Sequence, residues 1–192
     1  MNQLPADEAM IFADAVHPTH TVRPVGCRAP KEVPVAVEQS SGRDRQNLHG
    51  AINPETGQTV VKDVLAVDAV STIALLAAIE TTYPVPRRIH VFLDNARYHH
   101  AKLVQAWLAR PDCRIKLHFV PACCPHLNSI ERLWGLMHRH TTHNKCYKSF
   151  RDFSAAMLNF PRDEVPKNWR TLCDEVSDNF RVIDPKDFRI LG

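Results

Sequence analysis

Val91-Phe92-Leu93-Asp94-Asn95-Ala96 and Pro125-His126-Leu127-Asn128-Ser129-Ile130-Glu131 decide the fold, with Glu131 falling 37 positions after Asp94. The first closes an apolar strand with an acid. The second is a polar turn that opens a helix and carries an acid in its first turn. A third acid, Asp14, ends the first apolar strand of the chain in Ile11-Phe12-Ala13-Asp14. Carboxylates at element ends, off the solvated faces, are what a divalent-metal phosphoryl-transfer site requires, because Mg²⁺ takes octahedral oxygen coordination and few protein ligands.

Working outward, Met10–Val16 is a short strand stopped before Pro18. Residues 20–45 are rich in Pro, Arg and Gly and form a loop with a short strand at Val33–Glu38. Asn47–Asn53 and Thr59–Ala66 flank the turn Pro54-Glu55-Thr56-Gly57 and make a hairpin. Ala69–Thr82 is apolar nearly all round and predicts a buried helix. Arg88–Asp94 is a largely continuous apolar strand, as expected where both sheet faces are covered. Lys102–Ala109 places Leu103, Val104, Trp107 and Leu108 on one helical stripe. Arg114–Val120 alternates, with Ile115, Leu117 and Phe119 on one side and Lys116 and His118 on the other: an edge strand. Asn128–Thr142 is the next helix, followed by short helices at Phe150–Phe160 and Asn168–Val176 and a loosely patterned tail at Asn179–Leu191. The order β-β-β-α-β-α-β-α predicts an α/β mixed sheet, an antiparallel meander followed by crossovers.

At 192 residues the chain suits one domain with a small appendage. No apolar run approaches the roughly 18 residues of a membrane span, and the first residues lack the pattern of a secretory signal. Six irregularly spaced cysteines, two of them adjacent, predict reduced thiols in a cytosolic protein. The net charge of +3 is unevenly spread: residues 95–151 hold ten Lys/Arg against Asp112 and Glu131, a local +8. No acid falls between Arg132 and Arg151. Such a run is either a solvated helix face or, behind a metal carboxylate, a surface for backbone phosphates.

Each acid also has a plain structural reading. Asp14 and Asp94 suit Asx turns or caps at strand ends. Asn128-x-x-Glu131 suits a capping box. Helical geometry puts Ile130, Leu133, Trp134 and Met137 on the buried stripe and Glu131 on its flank, one turn before Gly135, which fits the lip of a cleft. A zinc module built on His138, His140, His143 and Cys146, with Cys123, Cys124 and His126 nearby, is a rival, but no second chelating pair has the usual spacing.

Phe92-Leu93-Asp94-Asn95-Ala96-Arg97-Tyr98-His99, Phe119-Val120-Pro121 and Pro125-His126-Leu127-Asn128-Ser129-Ile130-Glu131-Arg132-Leu133-Trp134 resemble the catalytic blocks of mariner-related bacterial insertion-sequence transposases. These are DDE superfamily endonucleases with a ribonuclease-H-like fold shared with retroviral integrases. The resemblance covers about residues 9 to 145. It implies a catalytic domain over 1–147, with 148–192 as a helical C-terminal extension packed on it. It implies Asp14, Asp94 and Glu131 as a triad holding Mg²⁺ or Mn²⁺, two ions about 4 Å apart. The implied reaction is cleavage of transposon-end DNA by water, then attack of the freed 3′-hydroxyl on target DNA. Arg97, His99, Lys102, Asn128, Arg132, Arg139, Lys145 and Lys148 are the expected DNA contacts.

Three departures stand out. Ser129 replaces the family's usual Pro before Ile-Glu, Cys123-Cys124 replaces an aromatic-plus-serine pair, and the Asp94–Glu131 interval is slightly long. The family's helix-turn-helix region, which reads the inverted repeats, has no counterpart before the first catalytic strand. The expected partners are therefore DNA and either a second copy of the chain or a subunit carrying that region, with no membrane, in the bacterial cytoplasm at the nucleoid. The alternatives are an inactive remnant that binds DNA or a partner subunit, and a structure-selective nuclease of the same fold.

Overall fold

The computed structural model describes residues 5, 7–26, 36–38, 42–120 and 128–177. Residues 33–35 of the expected short strand, the loop with Cys123-Cys124, and the tail from 178 lie outside them. Residues 36–38 carry no regular structure.

Five strands form one sheet in the order β3-β2-β1-β4-β5. They are β1 (Glu8–Val16), β2 (Leu48–Ile52), β3 (Thr59–Asp63), β4 (Arg88–Leu93) and β5 (Ile115–Phe119). β1, β2 and β3 run as an antiparallel meander, while β4 pairs in parallel with both β1 and β5. The expected mixed sheet is therefore present. The hairpin turn is made by Asn53, whose Oδ1 accepts from the Glu55 and Thr56 amides at 2.8 and 3.3 Å. Gly57 completes the turn at φ +72°, a conformation that disfavours any side chain.

Successive strand residues point to opposite faces, so the sheet sorts its side chains into two cores. Ile11, Ala13, Ile89, Val91 and Leu93 pack against α1 (Ala69–Thr82) and α2 (Lys102–Leu108). α1 starts where the sequence placed it, with a reciprocal cap between Asp68 and Ser71. It is not apolar-buried all round: Leu75, Leu76 and Ile79 face the sheet, while Val70 is 64% exposed. Leu103 is likewise 54% exposed, so the buried anchor of α2 is Val104.

The other face is covered by α3 (Ser129–Thr141), whose Ile130, Leu133, Trp134 and Met137 meet Leu48, Ile52, Phe12 and Val16. The C-terminal helices α4 (Phe150–Asn159), α5 (Val165–Lys167) and α6 (Trp169–Val176) complete this same core through Phe153, Met157, Val165, Leu172 and Val176. A π-helical stretch, Phe160–Glu164, joins α4 to α5. Pro161 explains it, because it has no N–H for the regular ladder. The residues from 150 to 176 thus thicken one layer and share its core. Among the described residues no helix is long and apolar enough to cross a membrane, and Cys113, Cys146 and Cys173 are free thiols.

β5 is the edge strand expected, but its alternation is reversed at the end. Phe119 is 41% exposed and stacks on His100 at 4.3 Å, whereas His118 is half-buried in a stack with Phe92 at 4.7 Å. The stack continues from Phe92 onto Phe12 of β1, with ring centroids 5.2 Å apart.

Candidate active site

The parallel pairing of β1 and β4 sets the site. Phe12 lies opposite Phe92, so two residues further on Asp14, still within β1, and Asp94, just past the end of β4, come to the same level and the same face. On its other side Asp14 lies opposite Gly50 of β2. The third acid arrives with α3, whose first turn holds Glu131.

Two contacts that the sequence reading did not foresee aim α3 at that place. Asn128 is buried, at 3% exposed, and makes no capping bond. Its Nδ2–H instead donates to the Ala13 carbonyl of β1 at 3.4 Å, tying the helix start to the residue before Asp14. The capping-box reading and the expectation of a DNA contact at Asn128 are both corrected: a side chain enclosed against β1 cannot reach a phosphate. One turn after Glu131, the Trp134 ring lies over Gly50. A Cβ on Gly50 would meet the ring carbons Cη2 and Cζ2 at 2.6 and 2.9 Å. Only glycine lets the indole lie this close to the strand beside Asp14. Gly135, by contrast, faces open space, leaving room beside Glu131.

The three acids act on one another. Burial raises the Asp14 carboxyl to about 7, against hydrogen bonding from the Ala15 amide, and the charges of Asp94 and Glu131 raise it further. The Trp134 indole N–H also acts on it, at a geometry short of a full hydrogen bond. Burial and then the Asp94 charge raise Glu131 as well. Tyr98, next to the site, is pushed up to about 12 by burial and by the charges of Asp94 and Asp14. Two buried imidazoles back the acids. Burial lowers His49 to about 4, and it lowers His99 to about 4 against the pull of Asp94.

Residues 9–154 match the family described as DDE superfamily endonuclease. The chain belongs to that family. A relative, the 39 kDa protein of insertion element IS630 from Shigella sonnei, is 26% identical over 125 residues, which cover 62% of this chain and 36% of that protein. Among solved structures, the Mos1 strand transfer complex matches with a TM-score of 0.58 at 13% identity, covering 88% of this chain and 55% of that one. The mariner Mos1 paired-end complex with Mg matches at 0.57 and 14%, with 88% and 56% covered. An intasome of simian T-cell lymphotropic virus matches at 0.52 and 14%, with 79% and 48% covered. These likenesses establish the ribonuclease-H-like fold of transposases and integrases. The DDE endonuclease chain spans about a third of the length of the insertion-element relative and about half that of the Mos1 chains.

The acids of this DDE endonuclease fit a divalent cation by the chemistry of their donors. All three are hard oxygen ligands, and their mutual repulsion favours a cation among them. As placed, they are neighbours and not a coordination sphere: among the described residues no three His, Cys, Asp or Glu groups converge on one point. The histidines of the zinc reading face separate partners, with His138 turned in to Thr142 and His140 stacked on Phe160.

The expected DNA contacts of the DDE endonuclease divide by position. Arg97 and Lys102 are exposed just past Asp94. Arg139 is exposed and paired with Glu175, Lys145 folds back onto the His140 carbonyl, and Lys148 is exposed. Lys145 and Lys148 follow the far end of α3, which lies about 15 Å from Glu131 at 1.5 Å per residue, and Arg132 is half-buried. His99 is 4% exposed and turned towards Asp94, so it is not a phosphate contact. Part of the basic stretch has structural work instead. Arg114 donates to the carbonyls of Glu80, Tyr83 and Pro86 at the end of α1, and Arg110 pairs with Glu80.

Proposed function

We propose that this chain is the catalytic domain of an insertion-sequence transposase that cuts transposon-end DNA and joins the freed 3′-hydroxyl to target DNA. The observation that carries the reading is the level placement of Asp14 and Asp94 on paired parallel strands, with Glu131 brought beside them by α3. Asp14, Asp94 and Glu131 would hold Mg²⁺ or Mn²⁺, which, when bound, supplies Lewis-acid charge to the attacking and leaving oxygens. The protein's own part is to keep the three carboxylates together against their repulsion and to present them at the sheet end. Among related folds, Mos1 complexes with Mg and with Mn, and with transposon ends, are consistent with such chemistry on DNA. The working assembly would pair two copies on DNA, or one copy with a subunit that supplies the helix-turn-helix region, in the bacterial cytoplasm.

The test is nicking and strand transfer on DNA bearing the element's ends, with and without Mg²⁺ or Mn²⁺, alone and with a helix-turn-helix partner. Metal-dependent products that vanish in Asp94→Ala support the reading. No cutting under any of these conditions points to an inactive remnant, and cutting of RNA in a hybrid points to a structure-selective nuclease.

The positions of the basic residues give a second expectation. Arg97→Ala and Lys102→Ala should each flatten the slope of log affinity against log salt by about one, and weaken binding alike on all sequences. Arg114→Ala should leave that slope alone and lower the thermal midpoint, because it strips the carbonyls at the end of α1. A salt slope unchanged in Arg97→Ala and Lys102→Ala would return these residues to the solvated-face reading.

A further inference from the structure

His99 stands behind the site. It lies in the 3-10 turn Arg97–His100 that follows Asp94, and its Nε2 is 3.2 Å from Asp94 Oδ1. The ring is fully enclosed while the Asp94 side chain is 55% exposed, so the imidazole is the fixed partner and the carboxylate the movable one. His99 Nδ1 lies 3.5 Å from Thr72 Oγ1 in the first turn of α1, and the ring faces that of His49 with 6.3 Å between centroids. A carboxylate only accepts, so the donor of the imidazole that faces Asp94 sits on Nε2. The Thr72 hydroxyl donates to the Asp68 carbonyl at 2.8 Å, which fixes it beside the ring. The Ala96 amide also donates to Asp94 Oδ1, at 3.3 Å. Both donors therefore meet the same oxygen of Asp94.

We propose that His99 is a positioning residue that, with the Ala96 amide, holds Oδ1 of Asp94 and so presents Oδ2 to a divalent cation. Asp94 is otherwise free to rotate in solvent, and a ligand that must be fixed on binding binds more weakly; outer partners of this kind are worth 10- to 100-fold in metal affinity. The inference rests on the proposed role of Asp94 as a metal ligand.

The experiment measures Mn²⁺ affinity of the full chain by calorimetry, with thermal midpoints, for wild type, His99→Leu, His99→Gln and Asp94→Asn. Leu keeps bulk without a donor, and Gln keeps an N–H donor of similar reach. The expected result is an affinity about 10-fold or more lower in His99→Leu and within about threefold of wild type in His99→Gln. Wild-type affinity in His99→Leu, or an equal loss in both variants, would overturn the role of His99. Should His99→Leu not fold, His99→Asn, too short to reach Asp94, takes its place with the same two outcomes. Asp94→Asn separates the levels: unchanged Mn²⁺ binding there removes the metal reading itself. Weakened binding there beside intact His99→Leu removes only the positioning role.

Discussion

Asp14→Asn is expected to abolish metal-dependent DNA cutting, by at least about a thousandfold, while making the metal-free protein more stable at pH 8. The two effects have opposite signs because they share one cause. Asp14 is ionised at pH 8 inside a site that raises its carboxyl to about 7, from an ordinary value of 3.8. Between those values the folded state holds a proton that the unfolded state has lost. Stability therefore falls as pH rises through that window, and the penalty is complete above pH 7. Asn carries no charge and escapes it. The full shift is worth about 4 kcal/mol at 1.36 kcal/mol per unit, and partial exposure of the site reduces the expected gain to roughly 1–3 kcal/mol. Denaturant unfolding at pH 4 and pH 8 checks this: the two proteins should agree at pH 4 and part at pH 8. Mg²⁺ should raise the wild-type midpoint at pH 8 by mass action and leave Asp14→Asn nearly unmoved. A variant less stable than wild type at pH 8 would mean that Asp14 is held by favourable contacts and is not under strain from its neighbours.

Gly50→Leu should cost about 1–3 kcal/mol of stability and remove most of the cutting activity of whatever fraction remains folded. Any Cβ at this position enters the Trp134 ring within 3.0 Å, and a branched side chain adds contact with Val61, whose Cγ2 already lies 3.2 Å from that Cβ. The indole must then leave the strand, and it belongs to the turn of α3 that follows Glu131. The loss of activity should exceed the loss of folded protein, since a displacement of about 1 Å at a catalytic group is enough to cost 10²-fold. Trp134→Leu in the Gly50→Leu background relieves the overlap and should recover part of the stability. Full activity in Gly50→Leu would show that α3 does not depend on this contact to place Glu131.

What the sequence made legible followed from local rules. The period of the apolar residues gave the strands and helices, and the acids stood out because they follow apolar runs or open a helix, although β1 continues past Asp14 to Val16. The approach of Asp14 and Asp94 needed only the parallel pairing of the two strands, whose register runs to Phe12 opposite Phe92. What stayed hidden depends on contacts between residues far apart in the chain. Asn128 has the residue type of a cap, and nothing in its neighbours says that it bonds Ala13 instead. His99 sits among Arg97, His100 and Lys102, which suggests a phosphate surface, yet the short turn after Asp94 points it inward. Gly50 carries no signal in a strand of its own type, since its partner Trp134 lies on a distant helix. A strand Gly without a turn nearby, followed far along by a Trp one turn after an acid, was the one available hint.

The central claim is that the three acids form one divalent-metal site, and paramagnetic line broadening by Mn²⁺ tests it in solution. Substoichiometric Mn²⁺ added to isotope-labelled protein at pH 8 should selectively broaden the amides of Ala13–Ala15, Leu93–Asn95 and Ile130–Arg132, and Asp14→Asn should abolish that pattern. Broadening centred on His138–His143 and Cys146, or spread evenly over the exposed acids, would contradict it.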